Sequence, residues 1–230
     1  MLGIIGAMDA EVIQIKEALT EVEIITKAGM DFYKGKLNEK PVVIVRSGIG
    51  KVNAGICAQI LVDIFDVSAI INTGIAGSLR SEINIGDIVL SKDALQHDVD
   101  AVNFGYDLGV IPQMKESTFK ADEKLIELAN KCCENVCKDI NTHIGRVVTG
   151  DQFISDKSKK NWIIDNFKGY CTEMEGAAIA QAAYLNNIPF LIIRAISDKA
   201  DDSATMDYPT FEAMAIKNSV NLIKEIIRLY

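Results

Sequence analysis

One stretch of the sequence organises the chain: Pro189-Phe-Leu-Ile-Ile-Arg-Ala-Ile-Ser-Asp198. Phe190 to Ile193 is a short apolar run, which predicts a strand in a sheet covered on both faces. Arg194 and Asp198 then interrupt the run. Charged groups beside a buried strand are costly unless they are paired or take part in function. The pattern predicts either a structural ion pair or a functional site at the carboxyl end of the strand, where open α/β sheets bind ligands.

The residues after Asp198 favour the functional alternative. Asp201 and Asp202 bring two further carboxylates close to Asp198, which a purely structural pair does not require. A neighbouring negative charge raises the pKa of a carboxyl group. A carboxyl that keeps its proton near neutral pH can act as a general acid. We therefore take Asp198 as the first candidate for chemistry.

The composition favours a globular protein that binds a small ligand. Hydrophobic residues make up 49% of the 230 residues, which is enough for a substantial core in a single domain over residues 1–230. The net charge of −8 argues against a nucleic-acid surface. The five cysteines are an odd number without paired spacing, which predicts reduced thiols and a cytoplasmic location. No apolar run reaches a membrane span of roughly 20 residues, and Asp9 ends the first apolar run too early for a signal peptide.

Apolar runs that end in glycine turns alternate with amphipathic segments. Leu2 to Met8 predicts a strand, and Asp9 to Leu19 predicts a helix with Asp9 as its N-cap. Further strands are predicted at 32–37, 41–46, 85–91, 142–149 and 170–175, with another starting at 69, and further helices at 54–65, 120–138, 155–167, 176–186 and 207–230. Pro209 would lie in the first turn of the last helix. This alternation predicts an α/β fold with a largely parallel sheet.

Two stretches look like ligand motifs without meeting their requirements. Ser47 to Gly55 has Val52 where a phosphate loop needs serine or threonine, and Asn53 where a dinucleotide fingerprint needs glycine. His97-Asp-Val-Asp100 lacks further ligands at metal spacing, so we predict no metal. The apolar loop Val102 to Pro112 is of a kind that can cap a pocket.

Several further positions are candidates with more than one interpretation. Glu11 lies in the first turn of a predicted helix, where a glutamate either complements the helix dipole or has a function. Phe153 is either a stacking platform or a core residue. Glu173 and Glu175 would point in opposite directions in an extended strand, so at most one would face a given pocket. Gly74, like Gly77, would let the backbone approach a ligand closely.

Seven motifs occur in order along almost the whole chain: Gly3-Ile-Ile-Gly-Ala-Met8, Ser47-Gly-Ile-Gly-Lys-Val52, Asn72-Thr-Gly-Ile-Ala-Gly77, Phe104-Gly-Tyr106, Gly150-Asp-Gln-Phe-Ile154, Glu173-Met-Glu175 and Arg194-Ala-Ile-Ser-Asp198. Together they resemble the bacterial 5'-methylthioadenosine/S-adenosylhomocysteine nucleosidases of the purine nucleoside phosphorylase-like superfamily. The resemblance implies an α/β fold, a three-layer α/β/α sandwich around a mixed, mostly parallel twisted sheet. It also implies a homodimer that hydrolyses the bond between adenine and ribose without a cofactor.

The resemblance implies a role for each charged candidate. Asp198, with Ser197 beside it, would give a proton to N7 of the leaving adenine, because electrons move onto the purine as the bond breaks. Glu11 would act as the base for the attacking water. Glu175 would accept hydrogen bonds from the ribose hydroxyls and favour the positive charge that develops on the sugar. Arg194 would orient these carboxylates.

The resemblance also assigns the walls of the pocket. The implied substrate-binding positions are Met8, Ile49, Ala76, Gly77, Phe104, Phe153, Ile154, Glu173, Met174, Arg194, Ser197 and Tyr208. Phe153 would stack on adenine, and Tyr208 would lie near the 5'-thioether. Phe104 and Pro112 would reach in from the partner subunit. Ile75 and Tyr208 depart from the commoner pattern, in which a small hydroxyl residue and a phenylalanine are frequent.

Three other functions stay open. A phosphorylase needs cationic side chains for phosphate, and the glycine turns at Gly6 and Gly74 carry none. A nucleosidase for the aminofutalosine of menaquinone synthesis is not excluded by the residues at the 5' end alone. A non-catalytic adenosine-binding protein would have no use for both Glu11 and Asp198. The sequence does not set the preference among methylthioadenosine, adenosylhomocysteine and 5'-deoxyadenosine.

Overall fold

Strands and helices alternate along the chain, as the apolar pattern predicts. The computed structural model describes residues 1–230. The strands are β1 (Leu2–Gly6), β2 (Thr20–Lys27), β3 (Met30–Leu37), β4 (Lys40–Arg46), β5 (Ala69–Ser78), β6 (Ile88–Gln96), β7 (Phe119–Lys120), β8 (Thr142–Thr149), β9 (Cys171–Glu173) and β10 (Phe190–Asp198). The helices are α1 (Asp9–Lys16), α2 (Lys51–Phe65), α3 (Glu123–Val136), α4 (Lys157–Phe167), α5 (Gly176–Leu185) and α6 (Ala204–Leu229), and a 3-10 turn spans Val102–Phe104.

The strands form one mixed sheet. Its centre is parallel, because β4, β1, β5 and β10 are neighbours that run in the same direction. Strands β3 and β2 continue one side as antiparallel neighbours. On the other side β10 pairs antiparallel with β6, β6 and β8 are parallel, and so are β8 and β9. The predicted mixed sheet is confirmed, and its parallel centre has antiparallel neighbours in β3, β6 and β9, which pair with β4, β10 and β5 respectively.

Helices cover both faces of this sheet. Helix α2 packs on α5, and α6 packs on β10 and β5 and also contacts α1 and α3. Their apolar sides join the sheet in one continuous core, which includes Leu61 from α2, Ile71 from β5 and Ile223 from α6. All five cysteines are buried, and none forms a disulfide. None of the helices is both long enough and apolar enough to cross a membrane.

Strand β10 is longer than the sequence predicts. The apolar pattern ends the strand at Ile193, and this boundary is wrong because the strand runs to Asp198. Arg194 stays within the strand since Glu173 meets its charge inside the protein. The pairing of β10 with β5 shifts register between Ile196 and Asp198. Such a bulge re-aims side chains, and here it marks the point where β10 reaches the functional edge of the sheet.

Other boundaries differ for local reasons. The N-cap of α1 is Met8 and not Asp9, because the carboxylate of Glu11 accepts the backbone N–H of Met8. Helix α6 begins at Ala204, so Pro209 lies inside the helix and not in its first turn. Strand β6 extends to residue 96 instead of 91. Strand β2 has no counterpart in the sequence prediction, and almost all of its side chains are exposed although Val22 and Ile24 alternate with glutamates.

Candidate active site

The carboxyl ends of β1, β5, β9 and β10 surround a cavity of about 440 Å³. The positions from the sequence analysis that line it are Met8, Glu11, Ile49, Ile75, Ala76, Gly77, Phe153, Ile154, Glu173, Met174, Glu175, Ser197, Asp198 and Tyr208. The cavity is also lined by Ala7, Gln152 and Thr172, which the sequence analysis does not single out. Each of these three lies next to a predicted position in the sequence, and that adjacency is the only signal that points to them.

Arg194 lies behind the cavity wall and is almost completely buried, with 1% of its surface exposed. Its guanidinium donates hydrogen bonds to Glu173, to Asn72 and to the carbonyl oxygen of Ile193. Arg194 therefore reaches the site through its neighbours, and no part of it lines the cavity.

Glu173 is held by donors on several sides. Besides Arg194, it accepts hydrogen bonds from the hydroxyl of Thr149 and from the backbone N–H of Gly176, the latter at 2.7 Å. The chain turns at Glu175 (φ −134°, ψ −39°) instead of staying extended. Glu173 and Glu175 therefore both line the cavity, and the expectation that only one of them does so is wrong.

The negative charge of Glu175 has fewer hydrogen-bond donors around it than that of Glu173. Its Oε1 accepts the backbone N–H of Gly50 at 2.8 Å. Burial, together with the negative charge of Glu173, raises the pKa of Glu175 to about 7, against the opposing effects of Arg194 and Gly50. At neutral pH the protonated and ionised forms of this carboxyl are therefore both populated.

Glu11 reaches the cavity from the first turn of α1. Its Oε2 accepts the backbone N–H groups of Ala7 at 2.7 Å and of Met8 at 2.9 Å, and its Oε1 accepts that of Ile75 at 3.3 Å. Burial raises the pKa of Glu11, and the charge of Arg194 opposes this rise. Glu11 is thus a positioned carboxyl with a raised affinity for protons.

Asp198 lies at the end of β10 with 2% of its surface exposed. Its Oδ1 accepts the backbone N–H of Ala200 at 2.8 Å, and its Oδ2 lies 2.9 Å from the hydroxyl of Ser197. Burial raises the pKa of Asp198, and the charges of Asp207 and Asp201 act in the same direction. Oδ2 is consequently the oxygen that is free of backbone donors and can carry a proton.

The aromatic part of the cavity combines Phe153 and Tyr208. Their rings meet edge to face with centroids 5.8 Å apart. The Tyr208 hydroxyl donates to Glu212 at 3.1 Å and lies 3.6 Å from the sulfur of Met8. Phe153 is half exposed, so its ring belongs to the cavity wall and not to the core.

Phe104 and Pro112 lie away from this cavity. Phe104 belongs to the 3-10 turn, and 85% of its surface is exposed. Pro112 is also exposed. The structure of one chain does not bring these two predicted residues to the site.

Comparison with known proteins agrees with this geometry. The family model of the phosphorylase superfamily matches residues 1–228. The 5'-methylthioadenosine/S-adenosylhomocysteine nucleosidase of Staphylococcus carnosus is 42% identical over 99% of this chain and 99% of its own. The chain belongs to the methylthioadenosine/S-adenosylhomocysteine nucleosidase family of the phosphorylase superfamily.

Solved structures of two related kinds of enzyme have the same fold as this chain. The nucleosidase of Neisseria meningitidis in complex with methylthio-immucillin-A superimposes with a TM-score of 0.95 at 34% identity, covering 100% of this chain and 99% of the other. The futalosine hydrolase of Helicobacter pylori gives a TM-score of 0.94 at 31% identity, covering 100% and 97%. Overall shape therefore does not separate a nucleosidase of this family from a futalosine hydrolase.

The unequal compensation of the two glutamates predicts opposite effects on stability. Because the folded-state pKa of Glu175 is about 7 against an ordinary value of 4.5, its ionisation destabilises the fold as pH rises between these values. We expect Glu175→Gln to raise the free energy of unfolding by about 1–3 kcal/mol at pH 8 and to have little effect at pH 4. Urea unfolding at the two pH values measures this.

Glu173→Gln is the matched control. It removes the carboxylate that pairs with buried Arg194, so we expect a loss of about 3–5 kcal/mol at pH 8. Equal losses of stability in the two variants would contradict this account of the site.

Proposed function

We propose that this protein hydrolyses the N-glycosidic bond of 5'-methylthioadenosine and S-adenosylhomocysteine, and also of 5'-deoxyadenosine, to give adenine and the 5'-substituted ribose. One observation carries the proposal: Asp198, Glu11 and Glu175, all buried and all with raised pKa values, face a single cavity. A volume of about 440 Å³ lies within the range of small-molecule sites. The relatives with these names supply the substrate class.

Asp198 is the proposed general acid. Breaking the bond moves electrons onto the purine, so N7 of the departing adenine becomes more basic and needs a proton. A carboxyl with an ordinary pKa near 3.9 would be ionised at neutral pH. Burial of Asp198 counters that ionisation, against the hydrogen bonds from Ala200 and Ser197 that favour the charged form. The Ser197 hydroxyl donates to Oδ2 and so orients the carboxyl group.

Glu11 and Glu175 act on the sugar side in this proposal. Glu11 accepts a proton from the water that attacks the anomeric carbon, and its three backbone contacts hold the carboxylate in place. Glu175 accepts hydrogen bonds from the ribose hydroxyls. Its negative charge stabilises the sugar cation that forms as the bond breaks. The oxygen of the water forms the new bond to the anomeric carbon, and the proton that this water loses stays on Glu11.

The remaining walls suit the two ends of the substrate. Phe153 would stack on adenine, and the 5'-thioether would lie among Met8, Ile49 and Tyr208, since a thioether prefers apolar surroundings. Ile75 donates its backbone N–H to Glu11 at 3.3 Å, so this position supports Glu11 through its backbone although it lacks a hydroxyl. Hydrolysis of aminofutalosine is the second candidate, because a futalosine hydrolase shares the fold closely.

The exposed apolar surface supports association of two copies. Val52 on α2 and Leu185 on α5 are 73% and 62% exposed, and both border the groove between these helices. A hydrogen bond from Gln181 to the sulfur of Met114 joins the loop after Phe104 to the same face. Large exposed apolar patches mark interaction sites. In this proposal the partner is a second copy of the chain, whose Phe104 and Pro112 complete the neighbouring cavity.

Adenine release decides between hydrolysis and phosphorolysis. We expect release from 5'-methylthioadenosine at the same rate with and without phosphate, because the cavity wall has no arginine or lysine for a phosphate anion. Adenine can be quantified by chromatography, and adenosylhomocysteine, 5'-deoxyadenosine and aminofutalosine are compared in the same assay. Strict dependence on phosphate would show the enzyme to be a phosphorylase.

Removing either proton-transfer group should stop turnover while leaving the cavity intact. We expect Asp198→Asn and Glu11→Gln to lower kcat by at least about 10²-fold, with binding of methylthio-immucillin-A, measured by calorimetry, largely retained. Asp202→Asn is the control, since this exposed carboxylate lies outside the cavity. Near wild-type turnover in either variant excludes that residue from its proposed role.

Complementation between variants tests whether Phe104 serves the neighbouring site. Phe104→Ala alone should raise KM, and Asp198→Asn alone should be inactive. When the two are mixed after dissociation, half of the dimers are mixed and each contains one complete site. We expect about a quarter of the wild-type activity at low substrate concentration. A mixture no more active than Phe104→Ala alone at half its concentration would contradict the shared site.

A further inference from the structure

A closed ring of hydrogen bonds lies beside the cavity without lining it. The ammonium group of Lys51 donates to Oδ1 of Asp98 at 2.7 Å, and the backbone N–H of Lys51 donates to Oδ1 of Asp151 at 2.8 Å. The backbone N–H of Asp151 completes the ring by donating to Oδ2 of Asp98 at 3.0 Å. Three segments that are far apart in sequence are thereby fixed to one another.

The ring lies directly next to the donor that holds Glu175. Gly50 precedes Lys51 and gives its backbone N–H to Oε1 of Glu175. Helix α2 begins at Lys51, and no side chain of its own N-cap accepts its first N–H groups. Carboxylates from distant parts of the chain take that place, namely Glu175 and Asp151. The positive end of the helix dipole favours negative charge at this position.

The carboxylate of Glu175 has few other means of staying in place. The Gly50 N–H is the hydrogen bond it accepts from the chain. The charged groups around it are Glu173 and Glu11, which repel it, and Arg194, whose guanidinium bonds to Glu173 instead. Without the Gly50 N–H, Glu175 would accept no hydrogen bond from the chain to orient its carboxylate.

Lys51 is suited to hold this position. The side chains of Lys51 and Asp98 are 19% and 17% exposed, so their contact is largely shielded from solvent. Lys51 also donates to the side-chain oxygen of Gln96 at 3.0 Å. The φ angle of Gly50 is +98°, a backbone conformation that is unfavourable for residues other than glycine. An anchored neighbour keeps such a turn in one arrangement.

We propose that Lys51 and Asp98 are positioning residues, which hold the Gly50 N–H against Glu175 and thereby fix the carboxylate that binds the ribose hydroxyls. This inference rests on the proposed nucleosidase function and extends it to residues outside the cavity wall. It assigns the paired charges a role that an ordinary surface ion pair, which contributes little, does not have.

The test compares substrates that differ by one hydroxyl group. We measure kcat/KM for 5'-methylthioadenosine and for its 2'-deoxy and 3'-deoxy analogues in wild type, Lys51→Met, Asp98→Asn and Lys51→Arg. In the wild type, loss of the hydroxyl that Glu175 binds lowers kcat/KM strongly. In Lys51→Met and Asp98→Asn we expect this deoxy penalty to shrink by about tenfold, the effect of one hydrogen bond to a charged group. Lys51→Arg retains the charge facing Asp98 and should restore most of the penalty.

Asp93→Asn is the matched control. Asp93 belongs to β6, five residues before Asp98, and forms an ion pair with Arg146 at 2.6 Å that does not reach Gly50. This variant can lose stability but should keep the wild-type deoxy penalty. A variant that only displaced Phe153, the proposed stacking partner of adenine, would lower kcat/KM for all three substrates equally and leave the ratio unchanged.

The outcomes separate this inference from the proposed function. If the wild type is active and Lys51→Met and Asp98→Asn keep its deoxy penalty, the inference alone is overturned. The same holds if Asp93→Asn reduces the deoxy penalty as much as these two variants do. A wild type that releases no adenine from 5'-methylthioadenosine overturns both. If Lys51→Met does not fold, Asp98→Asn, which preserves side-chain volume, decides the matter.

Discussion

The buried pair between Arg194 and Glu173 determines the electrostatics of the whole site. A buried ion costs several kcal/mol unless a partner compensates it, and Arg194 remains within β10 because Glu173 contacts it directly. Glu175 and Glu11 also lie within the field of the same guanidinium. One positive charge thus faces three carboxyl groups. Two of them stay undercompensated, and burial raises their pKa values as a result.

The backbone of β5 lets these carboxyls come close to the sheet. A Cβ at Gly74 would lie 2.6 Å from Oε1 of Glu11, and one at Gly77 would lie 2.7 Å from Oδ1 of Asp198. Either distance is shorter than a normal Cβ contact, so a side chain at either position would displace the carboxyl group. The sequence predicts a close backbone approach at both glycines, and the structure shows that part of what approaches is the protein's own carboxyl groups. The glycines and the carboxylates therefore form one unit.

Local pattern predicts much of the fold because strands and helices here differ clearly in periodicity. It fails where a distant residue decides the outcome. Arg194 interrupts an apolar run in the sequence, yet the strand continues since Glu173, 21 residues earlier, bonds to it. The motif that contains Glu173 and Glu175 identifies two candidates but not the turn at Glu175 that brings both to the cavity. Resemblance to a family predicts the site positions, whereas the unequal pairing of Glu173 and Glu175 depends on contacts between distant parts of the chain.

In the proposed reaction, the excess of negative charge around Glu175 would favour a developing cation over a neutral ligand. In the free protein, Glu175 is close to Glu173 and Glu11, and their mutual repulsion is relieved only in part by Arg194. A substrate without charge on its sugar ring does not change this balance. A ribose that acquires positive charge would supply the missing counterion, so its proposed interaction with Glu175 and Glu11 would strengthen as the bond breaks. Interactions that grow toward the transition state accelerate the chemical step, whereas uniform binding does not.

Carboxyls fixed in advance by backbone N–H groups need no reorganisation at that moment. The same crowding that weakens the fold at neutral pH is consequently what prepares the site for a cation.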